Sequence, residues 1–244
     1  DSTSLANWAT NVNKAVEDND NGLVSTNSYL GVFYPSGFTT DNFGNNIVVP
    51  ASHMMLRTIA LSDQVSFPWF APAGTRRGGI TNASSTGYIN SEGEFVSTAL
   101  NEGQRDTLYT NKVNPITFIT GAGLVNYGQK TRFAGTSSLD RINVSRLVIY
   151  LRSQLNKLAR PFVFEPNDKI TRDEIKAQAE SLLLELVGNR AIFDFLVVCD
   201  ESNNTPTRID RNELYLDIAI EPVKAVEFVY IPLRLKNTGE IAGL

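Results

Sequence analysis

The chain contains 244 residues, and its 22 basic and 26 acidic side chains give a formal net charge of −4. Its one cysteine, Cys199, excludes an internal disulfide, and its one histidine, His53, argues against a His-rich zinc or di-iron centre. The acidic balance disfavours electrostatic binding of nucleic acid, and no apolar stretch reaches the roughly 18 residues of a membrane span. We therefore expect no metal or cofactor, no direct contact with nucleic acid and no membrane insertion.

Residues 1–140 are rich in Asn, Gly, Ser and Thr, which favours loops around a few short elements. Met55, Leu56 and Ile59 fall at helical spacing. A β-branched and aromatic run closes on Gly121 and predicts a strand. The elements expected in this part are helices over 5–16, 52–61 and 101–113 and a strand over 115–120.

After Asp140 the helical signals become stronger. Asn143 is a candidate N-cap for a helix whose apolar residues share one face until Pro161 ends it. A second helix follows the Thr-x-x-Glu spacing of a capping box that begins at Thr171. Gly188 stands where a left-handed C-cap would end that second helix.

Three strands are predicted after these helices. Residues 191–199 are β-branched and aromatic, residues 214–220 alternate strictly between apolar and other side chains, and residues 226–230 lead into a third strand. Pro232 places the end of this third strand at a sheet edge. The order of elements predicts an α/β (α+β) fold, in which helices flank a mixed sheet.

We expect residues 1–232 to form a single domain, loop-rich over 1–140 and compact over 141–232. Residues 233–244 then form a C-terminal arm, in which Leu233 and Leu235 continue the alternation of a strand. Such a segment can add a strand to the open sheet edge of another chain. A frayed terminus is the equally weighted alternative.

Two glycine-containing motifs suggest phosphate or nucleotide binding, and neither fits well. The run from Gly121 to Asn126 follows a strand, but Asn126 replaces the third glycine of a dinucleotide fingerprint. We interpret this run as a turn. The Arg76-Arg77 pair lacks the glycine-rich cradle of a P-loop, and a solvated loop or an ion pair between subunits is the preferred interpretation.

Three carboxylates near strand ends, Glu165, Asp168 and Asp200, could form the acid/base pair of a hydrolase or a sugar-acting enzyme. Caps and turns explain them better. His53 has no nucleophile motif beside it and is interpreted as a capping or packing residue, and Cys199 as a buried, inert thiol.

Several segments, taken in their order and spacing, resemble the C-terminal portion of the contractile tail sheath proteins of bacteriophages and related injection systems. The residues that carry the resemblance are Val48-Val-Pro50-Ala-Ser-His53, Pro68-Trp69-Phe70-Ala-Pro72-Ala-Gly74, Arg76-Arg-Gly78, Asn111-x-x-Asn114-Pro-Ile116, Gly135-Thr-Ser-Ser138, Ile142-Asn143-Val-x-Arg146-Leu, Phe164-Glu-Pro-Asn-Asp168, Cys199-Asp-Glu201 with Asn204-x-Pro206, and Ile220-Glu-Pro-Val-Lys-Ala-Val-Glu-Phe228.

The resemblance implies a structural protein rather than an enzyme, and a piece of a longer subunit. Its subunits would form hexameric rings around a tail tube and contract to drive the tube through a cell envelope. The implied partners are neighbouring subunits, the tube, the baseplate and the tail terminator, in a virion tail assembled in the bacterial cytoplasm. A sheath of a non-viral injection apparatus is a further alternative. The expected subunit contacts are Leu233, Leu235, Ile241, Arg146, Arg152, Lys169 and Arg172.

Overall fold

The computed structural model describes residues 28–133, 135 and 137–230. The predicted helix over 5–16 and the C-terminal arm lie outside this part of the chain. The helices and strands within it are, in chain order, β1 (Val32–Tyr34), β2 (Ser36–Thr40), β3 (Asn46–Val49), α1 (Ala51–Val65), α2 (Gly74–Arg77), β4 (Ser85–Ile89), β5 (Phe95–Ser97), α3 (Glu102–Thr110), β6 (Val113–Ile119), β7 (Gly123–Asn126), α4 (Ile142–Ala159), α5 (Lys169–Gly188), β8 (Ile192–Val198), α6 (Pro206–Asp210) and β9 (Asp217–Pro222).

The fold class is confirmed, because helices flank sheets of mixed strand direction. The described strands form three sheets, with the orders β1-β6-β7, β3-β2-β4-β5 and β8-β9. In the first sheet β1 runs parallel to β6, while β7 is antiparallel to β6. The other two sheets are antiparallel. The mixed sheet therefore lies in the first half of the chain, whereas the sequence pattern suggested it in the second half.

The first part of the chain contains more strands than the sequence predicted, because β1 to β7 all lie before Asp140. Many of these strands are short and contain Ser, Thr, Asn and Gly, as in Ser36–Thr40 and Ser85–Ile89. Such strands lack the β-branched, aromatic runs by which strands are recognised. The predicted helices around α1 and α3 and the predicted strand around β6 are confirmed with shifted ends.

Helix α1 buries Met54 and Met55 in a core with Ile80, Ile116 and other apolar side chains of the first two sheets. The Thr58 hydroxyl donates within this core to the carbonyl oxygen of Gly79 at 3.0 Å. Leu56, which the helical spacing placed on the core face, is instead 71% exposed. The buried face of this helix is therefore displaced by one residue from the face that the sequence pattern predicted.

Helix α4 begins at Ile142, with Arg141 as its cap residue. The carbonyl oxygen of Arg141 accepts the first helical hydrogen bond, from the N–H of Ser145 at 3.0 Å. Asn143 is therefore inside the helix and is buried, so its prediction as the N-cap is wrong. The predicted end is confirmed, since a short 3₁₀ turn over Arg160–Phe162 follows the helix.

Helix α5 begins three residues earlier than its predicted capping box. The carboxylate of Asp168 accepts the N–H of Thr171 at 2.9 Å and caps the helix. At the other end the left-handed residue is Arg190, with a φ of 60°, and not Gly188, which is the last helical residue. The N–H of Arg190 donates to Val187 and that of Ala191 to Leu186, which is a Schellman motif without glycine.

Strands β8 and β9 pair in register from Val198 with Asp217 to Asp194 with Glu221, and a bulge follows. One face packs on α4 and α5, where Trp69 joins the core of this half. Its indole N–H donates to the carbonyl oxygen of Asn189 at 3.0 Å. The alternation predicted over 214–220 is confirmed, although β9 itself starts at Asp217.

The predicted third strand over 226–230 is absent from the structure, and residues 223–230 have no regular secondary structure. The N–H of Val223 still donates to Ala191, and beyond it the chain leaves the β8–β9 sheet. The apolar side chains that suggested a strand are exposed, with values of 80% for Val226, 66% for Phe228 and 87% for Tyr230. Apolar alternation alone does not supply the neighbouring strand that a sheet requires.

Candidate subunit-contact surface

The β8–β9 sheet has two strands within the described residues, so both of its outer edges are open there. On the face that points away from the helices, Leu196 is 61% exposed, and Phe193 at the bulge is 64% exposed. A small sheet with open edges and apolar side chains is a ready template for another strand. It is the first part of the candidate surface.

The second part of the surface is the extended segment 223–230, which connects this sheet to the C-terminal arm. Val226, Phe228, Val229 and Tyr230 are all exposed along it. The predicted contact residues Leu233, Leu235 and Ile241 follow directly, but they lie outside the described residues. Four large apolar side chains along eight residues form the kind of patch that marks interaction sites in soluble proteins.

One side chain of this segment points inward and fixes it to the body of the protein. The Glu227 carboxylate accepts two hydrogen bonds from Arg141, one from Nε at 2.5 Å and one from Nη2 at 3.1 Å. It also accepts Nε2 of Gln129 at 3.2 Å. The Glu227 and Arg141 side chains are only 17% and 27% exposed, so the pair is largely shielded from water.

The electrostatics of this pair favour its charged form. Burial opposes ionisation of Glu227, but hydrogen bonds from Arg141 and Tyr109 outweigh it and hold its pKa below the ordinary value. Burial and the Glu227 carboxylate raise the pKa of Tyr109, which therefore stays protonated and donates. Sequence reasoning missed this cluster, because Arg141 and Glu227 are 86 residues apart. The one available signal was an acidic residue within an apolar run.

The four basic residues predicted as contacts do not form one face. Arg146 makes an ion pair with Asp63 of α1, and Arg152 is exposed on the outer side of α4. Lys169 is paired with Asp173 in the first turns of α5. Arg172 is only 6% exposed and donates to the carbonyl oxygen of Asn167. Of these four, Arg152 is the one whose charge is exposed without an ion pair among the described residues.

The carboxylates of the hydrolase alternative have separate local roles. Asp168 caps α5, and the Thr171 N–H lowers its pKa. Asp200 accepts from the Ser202 hydroxyl and N–H in a tight turn, and these bonds lower its pKa. Glu165 is exposed beside the α4–α5 turn. Depressed pKa values keep Asp168 and Asp200 ionised, whereas a catalytic acid needs a raised pKa.

Two of the remaining motif interpretations are confirmed. Gly121 and Gly123 adopt φ values of 84° and 77° where β6 turns into β7, so the glycine-rich run is a hairpin turn. Cys199 is buried, which raises the pKa of its thiol.

Two other interpretations differ from the structure. His53 is exposed in the first turn of α1, and the cap residue of that helix is Pro50, so the prediction of His53 as a capping or packing residue is wrong. Arg76 and Arg77 end the short helix α2 instead of lying in a solvated loop, and the guanidinium of Arg77 lies 4.7 Å from the Phe70 ring centroid.

Two other kinds of feature, a metal-binding cluster and a membrane-spanning helix, are absent from the part of the chain that the structure describes. No group of three or more His, Cys, Asp and Glu side chains there could hold a metal ion. No helix among those residues has the length and apolar character to cross a membrane.

Several residues of the family-like motifs hold loops together. The buried Asn114 amide donates to Val32 and Lys130 and accepts the Lys130 N–H. The Asn204 amide binds both the N–H and the carbonyl oxygen of Tyr215. A Cβ on Gly78 would lie 2.6 Å from the carbonyl oxygen of Asn126, so that position admits only glycine without a backbone shift. These motif residues are structural and explain the fold rather than a reaction.

Comparison with known sequences identifies relatives along nearly the whole chain. Residues 135–236 match the phage tail sheath C-terminal domain family. Over 99% of its length the chain is 34% identical to the tail sheath protein of Vibrio phage KVP40 and 31% identical to that of Enterobacteria phage T4. The matches cover 36% and 35% of those proteins, so the chain spans about a third of their length.

Solved structures of contractile sheaths have the same fold. The helical sheath of the anti-feeding prophage in its contracted state matches with a TM-score of 0.74 and 20% identity, over 87% of this chain and 57% of that chain. The contracted PVC sheath complex of an extracellular contractile injection system matches with a TM-score of 0.72 and 18% identity, over 91% and 60%. The sequence relatives are structural tail sheath proteins, so the hydrolase alternative is not supported. In sequence the chain is similar to the tail sheath proteins of phages, and in fold it is similar to the contractile sheaths of injection systems, which confirms the resemblance seen in its motifs.

Proposed function

We propose that the chain is the C-terminal, tube-facing part of a contractile tail sheath subunit. Such subunits polymerise as hexameric rings around a tail tube and contract to drive the tube through a cell envelope. The observation that carries the proposal is the match to two phage tail sheath proteins over 99% of the chain. Residues 1–232 act as one domain in this account, and residues 233–244 act as its arm.

Strand addition is the assembly mechanism that the surface supports best. The β8–β9 sheet offers open edges, and the arm of a neighbouring subunit supplies a strand with Leu233, Leu235 and Ile241 as its apolar side chains. Backbone hydrogen bonds then give affinity, and alternate side chains set the register. The ion pair between Glu227 and Arg141 fixes the point at which each arm leaves its own subunit.

Contraction, in this proposal, releases energy that is stored in the lattice of subunits. Extended and contracted lattices differ in the contacts between subunits, and a trigger at the baseplate shifts the population from one to the other. The arms keep neighbouring subunits connected while the bodies rearrange. The tube and the tail terminator complete the set of partners, and the assembly forms in the bacterial cytoplasm as part of the virion tail.

Deletion of residues 233–244 tests the arm. We expect the truncated chain to lose polymerisation, because the donated strand is gone, and to keep its fold, because the described body makes its core without the arm. Sedimentation velocity and electron micrographs report assembly, while circular dichroism and the unfolding midpoint report the fold.

The matched control keeps the full length of the chain and carries the substitutions Leu233→Ser, Leu235→Ser and Ile241→Ser. It should lose polymerisation as the deletion does, because serine removes the apolar contacts but keeps the backbone. Normal sheaths formed by either variant would show that the arm is not required.

A further inference from the structure

The turn between α4 and α5 carries an apolar protrusion, formed by Val163, Phe164 and Ile170. Their exposed fractions are 60%, 102% and 76%. A Phe that is fully exposed contributes nothing to the core of its own subunit. Glu165 and Asp168, which lie between Phe164 and Ile170 in the sequence, are exposed too, so the apolar side chains share this turn with carboxylates.

The backbone of Phe164 is strained as well. Its φ is 77°, in the left-handed region that residues other than glycine rarely adopt. The N–H of Glu165 donates to the carbonyl oxygen of Phe162 at 3.2 Å and holds this tight conformation. A bulky residue in a conformation that suits glycine, with its ring in solvent, indicates a role outside the subunit.

A shallow groove of about 490 Å³ lies elsewhere on the same subunit. Ile149, Arg152, Ser153 and Asn156 line it along the outer stripe of α4, at helical spacing, and Tyr29 is a further lining residue. Ile149 and Tyr29 are 49% and 51% exposed, so the groove has an apolar surface. Arg152 adds a positive charge at its rim.

The protrusion and the groove both expose apolar side chains and carry opposite charges. The ring of Phe164 is small enough for the groove, and the next residue, Glu165, is acidic where the groove carries Arg152. Neither Glu165 nor Arg152 forms an ion pair in the part of the chain that the structure describes. Each charge is therefore available to the other across a contact between two copies.

We propose that Phe164 of one subunit inserts into the α4 groove of the next subunit, and that Glu165 pairs there with Arg152. Two different patches meet in this contact, so it is heterologous, and repetition of such a contact builds a ring or an open helix. The inference rests on the proposed function and adds to it a second contact, made by the bodies of the subunits and independent of the arm.

Disulfide cross-linking tests this contact directly. In a Cys199→Ala background, a tagged Glu165→Cys chain is mixed with an untagged Asn156→Cys chain under mild oxidation. We expect the tagged and untagged chains to form heterodimers in large excess over either homodimer. The control mixes Glu165→Cys with Ser91→Cys, an exposed residue in the β4–β5 turn. Cross-linking at the level of this control would overturn the proposal.

Glycine substitution separates the contact from folding. Phe164→Gly removes the ring and suits the left-handed backbone, so we expect its unfolding midpoint to stay the same or rise, while self-association weakens by about tenfold or more. Arg190→Gly relieves a similar φ of 60° at a residue that belongs to neither the protrusion nor the groove lining, and it should leave self-association unchanged. Unchanged self-association in Phe164→Gly would contradict the proposal.

A charge exchange completes the test. Arg152→Glu and Glu165→Arg should each weaken self-association, and the double variant should restore it. Failure of the double variant to recover would reject the ion pair. Two outcomes separate this contact from the sheath function. If the protein forms cylinders in electron micrographs but not the cross-link, the contact is rejected and the sheath function stands. If it forms the specific cross-link but no cylinders, the contact is supported and the result counts against the sheath function.

Discussion

Glu227 joins the segment 223–230 to the body of the protein, and this one carboxylate fixes the last part of the chain that the structure describes. Arg141, Gln129 and Tyr109 all bond to it, from three parts of the chain that are distant in sequence. The flanking Val226 and Phe228 side chains turn outward instead. In the sheath proposal, force on the arm would reach α4 through Arg141, the cap residue of that helix.

Glu227→Gln should therefore destabilise the protein. The substitution keeps the shape of the side chain and removes its charge, so the largely buried Arg141 loses its two-point carboxylate partner and keeps only Asp140 as a counter-ion. We expect the free energy of unfolding at neutral pH to fall by about 1.5–3 kcal/mol, the range for hydrogen bonds to charged groups. Urea denaturation measures this change, and Glu221→Gln on the exposed face of β9 is the matched control.

The stability difference between the native protein and Glu227→Gln should depend on pH in a defined direction. The pKa of Glu227 is lower in the folded state, so ionisation stabilises the fold above the pKa of the unfolded chain, about 4.3 for glutamate. The gap between the native protein and Glu227→Gln should be full at neutral pH and shrink as the pH falls below that value. A gap that stayed constant down to pH values near 2 would show that the charge of Glu227 is not the cause.

At the level of single residues, some roles could be read from the sequence and others could not. The structural interpretations of Cys199 and of the carboxylates as caps and turns needed only local spacing. The Arg141–Glu227 pair, the burial of Arg172 and the position of Trp69 between the two halves depend on contacts over long sequence separations. Local patterns carry no information about such contacts.

At the scale of elements, the end of α5 shows why local signals can mislead. Gly188 looked like the left-handed residue, but the helix continues through it and the left-handed position falls on Arg190. The left-handed turn that ends α5 falls at Arg190 because the next residues, Ala191 and Ile192, lead into β8 and pack in the core beneath it. Tertiary packing therefore decides where the helix stops.

Arg190→Gly should stabilise the protein. Glycine adopts a φ of 60° without the clash that a Cβ brings, and its greater freedom in the unfolded chain offsets part of the gain. We expect an increase of about 0.5–1 kcal/mol in the free energy of unfolding, measured by urea denaturation. Arg211→Gly is the contrasting control, because Arg211 has a φ of −90° and glycine should be unfavourable there. A loss of stability in Arg190→Gly would contradict this interpretation of the Schellman motif.

Long amphipathic helices were the elements that the sequence predicted best. Helices α4 and α5 present apolar residues at helical period over 18 and 20 residues, so their existence was clear and only their caps were misplaced. The short polar strands β2 and β4 gave no comparable signal. The segment 226–230 gave a strand signal without a strand, because its apolar side chains face solvent in the single subunit.

At the scale of the whole molecule, the chain corresponds to about a third of the length of its phage relatives. Its exposed apolar features lie at several separate places, among them the outer face of β8–β9, the segment 223–230 and the protrusion at Phe164. A subunit that contacts several neighbours at once needs several such surfaces, whereas an enzyme concentrates its unusual residues in one pocket. The distribution agrees with the sheath proposal.

Electron microscopy of the purified protein is the most direct test of the sheath function. We predict striated cylinders with sixfold symmetry and a central channel wide enough for a tail tube, because the arm and the body contacts together close rings and stack them. Discrete particles with no rings or cylinders at any protein concentration or salt would contradict the account.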